Sequence, residues 1–195
     1  MNLRYPSTSE AFLMTSIPNY VAGTWDIDAV HSDVSFVVRH MMVSKVRGRF
    51  EQLSGELVTG DSIENSSVTA TIDVTSLSTG NEQRDGHIKS ADFFEVEKHP
   101  TWTFTSTGIV AKGDDLVLNG DLTIKGVTKP VELALEVNGF GPDPYGGTRA
   151  GFTATTSINR SDFGVDIALP MDGGGVVVSE KVTVELEIQA VLRAA

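Results

Sequence analysis

From Ser32 onward the chain alternates between apolar and polar positions with the period of a strand that buries one face. Val34, Phe36 and Val38 share one side, and Asp33, Ser35, Val37 and Arg39 share the other. Val68, Ala70, Ile72 and Val74 repeat the pattern, as do Trp102 and Phe104 among threonines. Val131, Leu133, Leu135 and Val137 follow, then Val182, Val184, Leu186 and Ile188 against Thr183, Glu185 and Glu187. Strands of a parallel sheet, apolar on both faces, do not read this way.

Glycine and proline mark the reversals: Gly60-Asp61, Lys112-Gly113-Asp114-Asp115, Lys125-Gly126-Val127-Thr128, Gly141-Pro142-Asp143-Pro144 and Gly173-Gly174-Gly175. With further runs near 46–58, 116–124 and 149–158, the pattern predicts an all-β chain of eight antiparallel strands. Eight is the number at which a closed barrel can hold one ligand. A two-sheet sandwich would alternate in the same way, so periodicity leaves barrel and sandwich both open. One segment departs from alternation. The segment near 79–94 holds a short helix, read from Ser78 to Ser90 with Thr79 as its cap and Glu82 as box partner, and leads into Phe93 and Phe94, which would cap or line one end. Residues 1–22 read as a loosely attached extension, with Met14 as an alternative start, and 23–195 as one domain.

Composition narrows the function classes. Apolar residues make up 40% and charged residues 21% of 195 residues, a globular balance. The net charge of -11 argues against nucleic acid as a partner and against docking on anionic lipid, and no segment reads as a stable membrane insertion. The absence of cysteine excludes disulfides and thiolate chemistry. The apolar patch Ala11-Phe12-Leu13-Met14 is short for a secretory core and is followed by Pro18, so the location reads as cytoplasmic, with periplasmic or secreted as the alternative.

Motifs for chemistry are scarce. His31, His40, His87 and His99 lie too far apart for a local metal pair, and neither a nucleophile elbow nor a phosphate-binding loop is present. Arg84-Asp85 and Arg160-Ser161-Asp162 read as ion pairs holding the helix and a loop. Phe36, Phe50, Phe93, Phe94, Trp102, Phe104, Phe152 and Phe163 would face inward or cluster near an opening. Pattern alone leaves open whether side chains or a ligand fill that interior.

Four ordered blocks resemble the YceI-like family. They are His31-Ser32-Asp33-Val34-Ser35-Phe36-Val37-Val38-Arg39-His40-Met41 with Val46-Arg47-Gly48-Arg49-Phe50; Arg84-Asp85-Gly86-His87-Ile88-Lys89-Ser90 with Asp92-Phe93-Phe94 and His99-Pro100; Gly120 to Thr128; and Asn159-Arg160-Ser161-Asp162-Phe163-Gly164. Gly23-Thr24-Trp25 is also similar to the G-x-W that opens lipocalins. The resemblance implies an extended lipocalin-like barrel that binds a polyisoprenoid, isoprenoid quinone or fatty-acyl chain without reacting, needs no cofactor and forms a homodimer. Alternation then places Phe36, Val38, Ile72, Val74, Trp102, Phe104, Leu122, Leu133, Leu135 and Phe152 along the channel, with Phe50 among the inward aromatics. Phe93, Phe94 and Phe163 would stand nearer the mouth, where His40 would hydrogen-bond a polar head. The competing reading is a barrel isomerase or hydrolase with His40 as acid and base.

Overall fold

The computed structural model describes residues 17–168 and 177–194. The strands are β1 (Gly23–Ile27), β2 (Asp33–His40), β3 (Ser44–Phe50), β4 (Leu53–Thr59), β5 (Ser67–Asp73), β6 (Leu77–Ser78), β7 (Thr101–Lys112), β8 (Asp115–Ile124), β9 (Val127–Pro142), β10 (Thr148–Asn159) and β11 (Lys181–Leu192), with one helix, α1 (Glu82–Lys89). Every pairing between them is antiparallel.

Six of these strands combine into three. β1 and β2 lie in line along the same edge of β11, Trp25 opposite Leu192 and Val37 opposite Thr183. β3 and β4 continue each other alongside them, and so do β5 and β6. With β7 to β11 this makes eight strand positions, each beside its neighbour in sequence. The contact between β1 and β11 closes the ring, which decides for a barrel over a sandwich. The eight runs read from alternation correspond to these eight positions.

The three interruptions lie side by side. Asp28 to Ser32 separates β1 from β2, and Gln189 of β11 spans that gap: its carbonyl accepts from the Asp28 N–H, and its own N–H donates to Ser32 Oγ at 3.0 Å. Glu51-Gln52 separates β3 from β4, and a 3-10 turn, Val74–Ser76, separates β5 from β6. Gln52 N–H donates to Ser76 Oγ at 3.0 Å and Asp73 N–H to the Gln52 carbonyl, so these two breaks hold each other. The barrel wall therefore bends along one seam.

Two apolar clusters fill the interior on either side. One gathers around Trp25, Phe140 and Phe152, the other around Phe36, Phe50, Trp102 and Phe163. Trp25 is fully buried; its Nε1 donates to Thr59 Oγ1 at 2.8 Å, and its ring meets Phe140 edge-on. Tyr20 packs on Phe140 and donates to the Gly60 carbonyl at 3.2 Å. The last part of the segment read as an extension, Ile17 to Val21, thus lies against the first cluster; residues 1–16 fall outside the described residues.

The helix is shorter than expected and differently capped. It spans Glu82–Lys89, and Asn81, not Thr79, accepts from the Arg84 N–H at 2.9 Å. Thr79 is instead clamped from within the helix: its N–H donates to Asp85 at 2.9 Å, and Arg84 Nε donates to its hydroxyl at 2.7 Å. From Ser90 to Lys98 the chain makes turns, so Phe93 and Phe94 follow the helix.

Asp28, 15% exposed at the first interruption, accepts from Arg149 Nη1 at 2.6 Å, His31 Nδ1 at 2.8 Å and the Val30 N–H at 3.1 Å. The Arg149 guanidinium does most to hold its carboxyl down at about 2, against the upward push of burial. A depressed folded value stabilises the fold above the unfolded carboxyl value and ceases to do so as pH falls through the folded one. Asp28→Asn is therefore expected to lower stability at neutral pH by about 1–2 kcal/mol. In melting curves taken across pH, that gap from the parent should close between about pH 4 and pH 2.

The Phe36 ring covers Gly48, its cross-strand partner, where an added Cβ would stand 2.3 Å from Cζ. Gly48→Ala is expected to displace that ring and lower stability by roughly 1–3 kcal/mol, measured by chemical denaturation.

Candidate functional site

Alternation turns one side chain in two toward the barrel axis, and the inward set leaves two hollows unfilled. The first, about 1240 Å³ counted out to its openings, lies within β4, β5 and β7 to β11. Leu57, Val68, Ala70, Leu118, Leu133, Phe152, Ala154, Leu186 and Ile188 are among its walls, with a few hydroxyls, such as Thr59, Ser66 and Thr156, as its polar groups. The second, about 1110 Å³ on the same basis, lies beyond the seam between the β2–β3 hairpin, α1 and the turn after β10.

Trp102, Ile124, Ile158 and Val184 line both hollows, so a single layer of side chains divides them. Trp102 is held edge-on by Phe50 at 4.7 Å and by Phe94 at 4.9 Å between ring centres. Its indole is fixed by packing, a constraint set by shape alone.

The residues nominated from sequence fall into three groups. Ile72, Trp102, Phe104, Leu122, Leu133, Leu135 and Phe152 line the first hollow. Phe36, Val38, His40, Phe93, Phe94 and Phe163 line the second, again with Trp102. Phe163, nominated for an open mouth, is 1% exposed and forms part of the inner wall.

Phe50 and Val74 line neither hollow. Phe50, 2% exposed, is packed behind Trp102 and Phe36 and supports the wall without forming it. Val74 is fully buried, but it lies past the end of β5, in the 3-10 turn, where strand alternation no longer decides which way a side chain points.

Several lining residues were not nominated. Val184, Leu186 and Ile188 of β11 were legible as an apolar face, and the same parity applies to Ile124 and Ile158. Arg84, His87 and Arg160, which line the second hollow, had no signal in apolar periodicity.

Polar groups concentrate at this second hollow. Arg160 is 7% exposed and spends its donors on the carbonyls of Ser179 (3.1 Å) and Val165 (2.7 Å) and on Glu180 Oε1 (2.8 Å). Its ion pair is with Glu180, not the expected Asp162, and it ties the turn after β10 to the start of β11. His87 pairs with Asp92 at 3.0 Å and packs edge-on against Phe93. Arg84 bonds Thr79 through Nε and Nη2, and among the described residues its Nη1 makes no hydrogen bond; the expected Arg84-Asp85 pair is replaced by a shared grip on Thr79. His40 borders the hollow at the end of β2; among the described residues no carboxylate hydrogen-bonds it, and no cluster of His, Asp or Glu could hold a metal ion.

The YceI-like domain model matches residues 25–190. A UPF0312 protein of Vibrio cholerae is 42% identical over 144 residues, 73% of this chain and 76% of its own length. Among solved structures, BcnA of Burkholderia cenocepacia superposes with a TM-score of 0.71 at 25% identity, covering 84% of this chain and 98% of its own. A polyisoprenoid-binding domain of Saccharophagus degradans gives 0.67 at 20% identity, covering 89% of this chain and all of its own. The closed eight-position barrel, the ordered sequence blocks and these matches agree: the chain belongs to the YceI-like family.

Proposed function

We propose that this chain binds one elongated apolar molecule, an isoprenoid or fatty-acyl chain, and carries out no chemical step on it. The observation that carries this reading is the pair of apolar hollows divided only by Trp102 and three aliphatic side chains. The Saccharophagus degradans domain of the same fold is described as polyisoprenoid-binding, which supports the ligand class. Burial of each methylene contributes about 0.8 kcal/mol, so a long tail is held firmly by desolvation alone.

The distribution of polar groups orients the ligand. A tail occupies the barrel hollow, and the head lies in the second one, near His40, Arg84 and His87. The aliphatic side chains of the dividing layer, Ile124, Ile158 and Val184, turn aside to let the chain pass. His40 serves there as a hydrogen-bonding group. A general base would need a partner to orient its ring, and among the described residues no carboxylate hydrogen-bonds it.

Native purification followed by organic extraction and mass spectrometry is expected to release a single class of long apolar chain. Recovery of none, together with no uptake of added fatty acid or isoprenoid alcohol, would overturn the reading. Ala70→Leu with Ala154→Leu narrows the barrel hollow from two walls. This double variant is expected to keep its β-sheet circular dichroism while selecting tails about four methylenes shorter, with affinity for the original chain reduced by roughly two orders of magnitude.

A further inference from the structure

The β2–β3 hairpin carries features that the interior does not require. Its inward face lines the second hollow through Phe36, Val38, His40 and Val46. Its outward face presents Arg39, Lys45, Arg47 and Arg49, which register on β2 and β3 brings together: Arg39 lies directly opposite Lys45, and Val37 opposite Arg47. A like-charged cross-strand pair weakens a hairpin. From Val34 to Phe50 there is no acidic residue, in a chain whose net charge is -11. Arg49 is paired with Glu51 at 3.1 Å, whereas Arg39, Lys45 and Arg47 form no ion pair among the described residues.

The tip is apolar and open. Met41, Met42 and Val43 are 42%, 55% and 83% exposed. The Val43 N–H donates to the His40 carbonyl, closing a turn whose central residues, Met41 and Met42, both adopt left-handed backbone, with φ of 51° and 59°. Such a turn strongly favours Asn, Asp or Gly at both positions. Here two methionines occupy it, projecting flexible apolar side chains into solvent at a conformational cost.

An apolar tip above a cationic face suits a surface that is apolar within and anionic at its boundary. We propose that the β2–β3 hairpin is a docking surface for an anionic lipid bilayer, with Met41, Met42 and Val43 entering the headgroup layer and Arg39, Lys45 and Arg47 facing the lipid phosphates. The overall charge argues against membrane docking only when averaged over the whole surface. Within a Debye length of about 8 Å, the local charge is what a headgroup meets. Docking there would set the second hollow against the bilayer, although the proposal stands whether or not the interior holds a ligand.

Flotation with vesicles tests it. The full chain is expected to bind phosphatidylcholine vesicles containing about one-third phosphatidylglycerol, to ignore pure phosphatidylcholine, and to be released by about 0.5 M salt. Arg39→Gln, Lys45→Gln and Arg47→Gln together should weaken binding about a hundredfold, roughly fivefold per cation. Met41→Asn with Met42→Gly supplies residues that the turn prefers, so its melting temperature should rise while vesicle binding falls. That opposition separates docking from misfolding. Absence of binding to anionic vesicles, equal binding to neutral ones, or undiminished binding by the Asn-Gly variant would each overturn the proposal. So would a concentration-dependent dimer that the Asn-Gly variant abolishes, because the tip would then serve a second copy of the chain.

Discussion

The structure depends on β11 being paired along both edges. β10 accompanies it from Lys181 to Val191, while its other edge is divided between β2 and β1. No single straight strand occupies that second edge, and the backbone groups at the division are satisfied by Gln189, Asp28 and Ser32. Buried backbone groups must find partners, so the break in one strand obliges its neighbours to bend at the same level. The adjoining breaks at Glu51-Gln52 and Val74–Ser76 follow, and the two hollows lie on either side of that seam. The elongated interior is thus a consequence of backbone pairing as much as of side-chain size.

Much of this was legible in the sequence because alternation is a local signal with an unambiguous meaning. Phe104, Leu122, Leu133 and Phe152 could be assigned inward from parity alone, and they line the barrel hollow. The errors fall where local signals compete with tertiary ones. Val74 continues the alternation in sequence, but the Asp73 carboxylate accepts from the Thr75 N–H at 2.8 Å and turns the chain into a 3-10 bend. Phe50 has the right parity and faces the interior, yet Phe36 and Trp102 stand between it and the empty space. Thr79 reads as a helix cap, but the side chains of Arg84 and Asp85 engage it, and Asn81 caps the helix instead. Whether the interior is filled or hollow depends on the sum of many volumes, which no local pattern records.

Charge shows the same division between average and arrangement. The total of -11 describes solubility, but it conceals a hairpin on which every charged side chain from Val34 to Phe50 is cationic. Strand register collects those side chains on one face, and the apolar parity places the opposite face on the second hollow. One short element therefore has two surfaces of different chemistry.

The ring order also constrains how the molecule comes together. In a meander strands joined by short loops meet early: Gly113-Asp114 between β7 and β8 and Lys125-Gly126 between β8 and β9 close at little entropic cost. The pairing of Trp25 with Leu192 is different in kind, since nearly the whole chain separates them. Arg193 fastens the same junction to Asp26 and Glu56, tying the end of β11 to β1 and β4. Without the pairing of β1 and β2 to β11, the apolar inner face would be an open, curled sheet with an uncovered edge, a form exposed to self-association. Closing the ring is also what walls in the barrel hollow, because Val184, Leu186 and Ile188 of β11 line it.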